Sequence, residues 1–255
     1  MFETCPKCGH APLPADQSLP AACPACGVIL AKVGQTATAR QRRARADDLP
    51  RQVSADSCLG QLLIPKPISR THLLAHGLLL AALAVWGIRL IGMDYRSGEF
   101  GQSLIHLPLL IFHEAGHVIF RPLGQWMMVL GGTVGQLLMP AIITAAFLRQ
   151  NQDPLGASVG LWLLGVSILD VAPYQYDALE PKLMLLSGST GEEGGHDWIY
   201  LFTSTGLLNR AHWLGGLTHL AGALVVLLSL AWASYLLWSA WRSKAKSEDH
   251  HIMRE

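Results

Sequence analysis

From residue 72 onward the chain is a succession of apolar runs separated by short polar breaks. The runs extend from about His72 to Gly92, Ser103 to Phe120, Trp126 to Leu148, Leu155 to about Ala172, and Leu217 to Trp238. Each approaches the ~20 residues that a helix needs to cross ~30 Å of hydrocarbon, the second and fourth being short. Arg121-Pro122-Leu123-Gly124 and Asn151-Gln152-Asp153-Pro154 supply two of the breaks. The pattern predicts an α-helical polytopic membrane protein with about five to six transmembrane or re-entrant helices. The weaker stretch Trp198 to Leu208 is the candidate for a sixth. Trp232, Tyr235, Trp238 and Trp241 suit an interfacial aromatic belt.

Charge makes this count a puzzle. Arg40, Arg42, Arg43, Arg45 and Arg51 precede the first run and place the N-terminal side in the cytoplasm, whereas Arg242, Lys244 and Lys246 favour a cytoplasmic C-terminal tail as well. Five crossings would put the two ends on opposite sides. Either one segment re-enters without crossing, or a sixth element completes the count.

Composition agrees with a membrane setting. Hydrophobic residues make up 51% of the chain and charged ones 15%, against about 25% charged in a typical soluble domain. A net charge of +1 gives no support for nucleic-acid binding. Residues 1–27 are proline-rich, lack a long apolar run and hold four of the five cysteines, so no secretory signal is expected there. The expected location is an inner membrane of bacterial type, with the lipid bilayer as the chain's surroundings and the N-terminus in the cytoplasm.

Within residues 1–34, Cys5-Pro6-Lys7-Cys8-Gly9 and Cys23-Pro24-Ala25-Cys26-Gly27 are two copies of one pattern. Each Cys-x-x-Cys turns two thiolates towards one ion, and the following glycine permits the backbone turn. The pair predicts a zinc ribbon holding a structural zinc on Cys5, Cys8, Cys23 and Cys26, since a four-cysteine site leaves no open position for chemistry. Two disulfides are the competing reading. A ribbon of this kind is a plausible contact for a cytoplasmic protein partner. Residues 35–70, interrupted by Pro50, Pro65 and Pro67, form a basic, proline-containing linker to a membrane domain over 71–241, and 242–255 make a polar tail.

The densest chemistry lies in the second apolar run, Ile111-Phe112-His113-Glu114-Ala115-Gly116-His117-Val118-Ile119. Residues four apart share a helix face, so His113 and His117 can hold one metal, with Glu114 beside it as a proton acceptor. Ionisable groups at such depth are costly, and function explains them best. A catalytic zinc has three protein ligands and one open position. Asp197, in Gly194-Gly195-His196-Asp197-Trp198, is the leading candidate for the third, with Asp170, His196 and Asp177 as alternatives. Gly131-Gly132-Thr133-Val134-Gly135-Gln136 lies in the third run, where glycines let helices approach and the Gln136 amide needs a partner. His106, two turns before His113, is expected to be a satisfied packing residue.

These residues resemble the site-two protease family of intramembrane zinc metalloproteases. The His-Glu-Ala-Gly-His run is similar to that family's signature, and Gly131-Gly132 through Gln136 is similar to its glycine-rich motif, with Gln in place of the usual Asn. Asp197 would stand for the family's aspartate ligand, in a His-Asp-Trp rather than an Asp-Gly setting. The resemblance covers about residues 103–210 and leaves the ribbon as an added module. It implies hydrolysis of peptide bonds in or near transmembrane segments of a membrane-protein substrate. Glu114 would be the general base, His113, His117 and Asp197 the catalytic zinc's ligands, and Gln136 and Gly132 substrate-binding residues. Two other readings compete: a non-catalytic adaptor that recruits a partner through the ribbon, and a divalent-metal transporter or sensor.

Overall fold

The computed structural model of the chain describes residues 2–13, 21–30, 60, 62 and 69–252. Most of the linker expected over 35–70 lies outside the described residues. The chain divides into two compact units, Met1–Ser54 and Ala55–Glu255.

In the first unit the two cysteine patterns make matching knuckles. Gly9 N donates to Cys5 O and Gly27 N to Cys23 O, each at 2.8 Å, while Cys5 N donates to His10 O and Cys23 N to Val28 O, each at 2.9 Å. Gly9 and Gly27 have φ of 73° and 70°, left-handed conformations that a side chain would strain. Leu30 packs with Cys5 and Cys23 into a small core.

Among the described residues from 69 onward the second unit has six α-helices: α1 (Arg70–Ile91), α2 (His106–Phe120), α3 (Gln125–Arg149), α4 (Pro154–Asp177), α5 (Asp197–Thr205) and α6 (Ala211–Ile252). Four of these, α1, α3, α4 and α6, are long and apolar enough to cross a membrane. The second apolar run does not become a spanning helix. Its first residues form a turn, and α2 keeps only 15 residues, about 22 Å at 1.5 Å per residue, short of ~30 Å of hydrocarbon. The proposed sixth element is real but brief: α5 has nine residues. The polar tail expected from residue 242 begins instead as a continuation of α6.

Central to the bundle is α4. Two-thirds of its apolar window (67%) is buried, against 11% for α1, whose leucines Leu74 and Leu78 are exposed as a lipid-facing helix requires. Asp153 caps α4, accepting from Leu155 N and Gly156 N at 3.1 Å each. Glycines set the spacing of its neighbours. A Cβ on Gly165 would stand 2.7 Å from Val226 N of α6, and one on Gly222 would stand 2.8 Å from Leu169 N of α4. With no hydrophobic drive between helices in lipid, such close backbone packing is what holds them. Between them Leu90, Phe100, Leu109, Trp162, Val166, Leu169, Ala223 and Val226 form one buried cluster.

The contacts give a consistent direction to each helix. Gly87 of α1 meets Trp162 of α4 and Val226 of α6, and further along Tyr95 meets Tyr176 and Gly216. Gly160 near the start of α4 faces Thr144 near the end of α3. Thus α1 and α4 run one way and α3 and α6 the other. One end of the bundle gathers the start of α1, the end of α3 and the start of α4. The opposite end gathers the start of α3, the end of α4, and α5.

Candidate metal centre and cavity

In the first unit, Cys5 Sγ lies 3.7 Å from Cys26 Sγ and Cys8 Sγ 3.8 Å from Cys23 Sγ, and all four sulfurs lie within 4.8 Å of one another. The cysteines are free thiols, so the two-disulfide reading is set aside. Four sulfurs ~2.3 Å from one tetrahedral ion stand roughly 3.8 Å apart, and the cluster matches that spacing. Their titration shows the crowding. Burial raises the Cys5 thiol, but hydrogen bonds from the Lys7 and Cys8 backbone and from the Cys8 and Cys23 thiols bring it down to about 6. The His10 backbone lowers Cys8, yet Cys26, burial, Cys5 and Cys23 together push it up to about 12. Four sulfurs this close do not all ionise without a cation among them.

The second cluster is built by α2, α3 and α5. On α2, Gly116 lies against the backbone of Gly131 and Gly132 in α3, and a Cβ on Gly135 would stand 2.8 Å from Gly116 Cα. This close approach seats His113 and His117 over Gly132, where a Cβ would come within 2.6 Å of Nε2 on each ring. Gly132, expected to bind substrate, leaves room for the two imidazoles. Asp197, the first residue of α5, completes the group: its Oδ2 is 2.9 Å from His113 Nε2 and 3.3 Å from His117 Nε2. Nitrogen and oxygen ligands at ~2.0–2.1 Å from one tetrahedral ion are roughly 3.3–3.4 Å apart, so small adjustments admit a zinc-sized cation.

The outer nitrogens of both rings are already engaged. His117 Nδ1 donates to Met128 O at 2.9 Å, and His113 Nδ1 meets Gln136 Oε1 at 3.1 Å. With protons on Nδ1, the Nε2 lone pairs of both rings converge on a carboxylate oxygen. Three acceptors facing one another need a cation between them, a proton or a metal. Glu114, exposed beside them, lines a cavity of about 970 Å³ together with His113, His117, Asp197, Tyr174 and Met184.

The alternative ligands stand elsewhere. Asp170 bonds His106 Nδ1 and Gln136 Nε2, each at 2.7 Å. His196 caps α5 through Ile199 N at 3.3 Å, and its Nε2 faces Asp177 Oδ2 at 3.3 Å in poor alignment for a hydrogen bond. Asp177 Oδ1 accepts from Lys182 N and Leu183 N. None of these three reaches the His113–His117–Asp197 group. Gln136, 3% exposed and among the residues lining the cavity, has both ends of its amide engaged, by His113 and Asp170. His106 is held by Asp170 as a packing residue would be, while also lining the cavity.

Tyr174 has no counterpart in the sequence reading. Its hydroxyl accepts from Asp197 N at 3.0 Å, and its ring lies tilted at 37° against His196 with centroids 4.2 Å apart. It thereby fixes the first turn of α5 and the carboxylate that α5 presents. No motif marks it; a tyrosine one turn before the end of a buried helix is the only trace. Against known protein families, curated proteins and solved structures, the chain finds no match.

Proposed function

We propose that the chain is an intramembrane zinc metalloendopeptidase that hydrolyses peptide bonds in or near the transmembrane segments of other membrane proteins. The observation that carries this reading is the convergence of His113 Nε2, His117 Nε2 and Asp197 Oδ2 beside Glu114 in one open cavity. In this reading a structural zinc occupies the cysteine cluster, the ribbon offers a surface to a cytoplasmic partner, and His113, His117 and Asp197 hold the second ion.

His113, His117 and Asp197 would hold a zinc ion there, which would supply a water of lowered pKa and polarise a carbonyl. The chain's own groups do the rest. Glu114 is exposed to the cavity and carries no hydrogen bond among the described side chains, so its carboxylate is free to take the proton of the attacking water and return it to the leaving amine. Gln136 and Met128 O hold the imidazoles in the tautomer that keeps Nε2 inward. Tyr174 anchors the backbone of Asp197. A substrate helix must open locally to expose its amide to this cavity, because a helical amide is hydrogen-bonded and shielded.

The test pairs metal counting with peptide chemistry. The full-length chain purified in detergent should hold two zinc ions, His113→Ala one, and Glu114→Gln two. Membranes from cells expressing the wild type should contain new protein termini, within or beside transmembrane segments, that are absent with Glu114→Gln. General acid–base groups contribute typically ~10²–10⁴-fold, so the variant should lose nearly all such termini. Two zinc ions with no Glu114-dependent termini would sink the peptidase reading and leave a metal-binding adaptor or transporter.

A further inference from the structure

We infer that Asp170 is a positioning residue for the metal, acting through the Gln136 amide to select the tautomer of His113. The inference rests on the reading of His113, His117 and Asp197 as a metal centre.

A buried amide can present either its oxygen or its NH₂ to a neighbour, and here the two faces have opposite consequences. With oxygen towards His113, the ring carries its proton on Nδ1 and turns the Nε2 lone pair inward. With NH₂ towards His113, the proton moves to Nε2 and blocks coordination. The structure removes the ambiguity at the other end of the amide. Gln136 Nε2 lies 2.7 Å from Asp170 Oδ2, and an ionised carboxylate only accepts. The NH₂ must therefore face Asp170, and Oε1 must face His113 Nδ1 at 3.1 Å.

Asp170 is itself held in place. Its second oxygen meets His106 Nδ1 at 2.7 Å, and it is 8% exposed. Ser167, one turn earlier on α4, donates to Gln136 O at 3.1 Å and ties the two helices at the same level. The chain of contacts from His106 to His113 passes through an amide, so it orients groups rather than conducting protons. An asparagine at 170 would leave only the Ser167 carbonyl, 3.5 Å from Gln136 Nε2, to hold the amide, because its own side chain offers either a donor or an acceptor to Gln136.

The full-length chain in detergent is equilibrated with a graded chelator series, and the zinc retained per chain is counted. His113→Ala defines the step belonging to the cysteine cluster alone. Asp170→Asn should weaken the other step about 10–100-fold, the usual effect of losing an outer partner of a ligand. Gln136→Glu alone should weaken it as well, since two carboxylates would then face each other. The double variant Gln136→Glu with Asp170→Asn should recover most of the loss, because a carboxylate at 136 accepts from both His113 and the new amide. A merely structural role for Asp170 would not be rescued by that exchange. Wild-type zinc affinity in Asp170→Asn, or a double variant no better than Asp170→Asn, overturns the inference. A wild type lacking any His113-dependent zinc overturns the metal centre itself.

Discussion

At the scale of single residues, one close constraint on the site falls on a group that bears no chemistry. A Cβ at Gly132 would come within 2.6 Å of both candidate metal-binding nitrogens, so Gly132→Ala should displace the imidazoles while leaving the helices intact. Overpacking by one methyl costs typically ~1–3 kcal/mol, which predicts roughly 5–150-fold weaker His113-dependent zinc binding. Gly77→Ala, on a helix face with nothing within 4 Å of the added carbon, is the control. Equal zinc retention in the two variants would refute the packing argument. The pairing of His113 with His117 and the grouping of the four cysteines are legible in the sequence, because ligands for one ion need fixed spacing along a helix or a knuckle. Asp197 was reachable by ligand chemistry alone. The engagement of Gln136 was not, since its partner Asp170 is 34 residues away on another helix and only packing brings them together.

At the scale of elements, apolar runs locate helices better than they locate helix ends. The runs beginning near His72 and Trp126 correspond to α1 and α3 almost residue for residue. The run beginning at Ser103 overstated α2, because hydropathy does not register that residues 103–105 turn before the helix starts. Conversely α4 continues to Asp177, beyond the expected end near Ala172, and those extra residues bring Tyr174 to the site. Interhelical glycines are the least legible feature, being mutually indistinguishable until the partners are known. Gly222 is a case that can be weighed: a Cβ there would stand 2.8 Å from Leu169 N and 2.9 Å from Gly165 O. Gly222→Val should therefore separate α4 from α6 and lower the melting temperature in detergent by several degrees, at a cost of ~1–3 kcal/mol. The same change at Gly77 should have a far smaller effect.

At the scale of the whole membrane unit, dropping α2 from the count of crossings makes that count even. Among the described residues four helices, α1, α3, α4 and α6, are long and apolar enough to span. Arg242 and Lys244 of α6 then lie at one end of the bundle with Arg70 and with Arg149 in the last turn of α3. Arg89, Arg96, Arg121, Lys182 and Arg210 stand at the opposite end, so the count of basic residues favours neither; we propose from the basic end of α6 that its side is cytoplasmic, and labelling decides. The candidate metal group belongs to the opposite end: His117 contacts Met128 in the first turn of α3, and Asp197 contacts Tyr174 in the last turn of α4. In that proposal a peptide would reach the site from the non-cytoplasmic face. The measurement is thiol labelling of intact cells with a membrane-impermeant maleimide. Ser187→Cys, exposed at the cavity's rim, should label without permeabilisation, whereas Ser243→Cys, exposed on α6 near its basic end, should label only after it. The reverse pattern would place the cavity in the cytoplasm and require substrates to arrive from that side, while leaving the metal chemistry untouched.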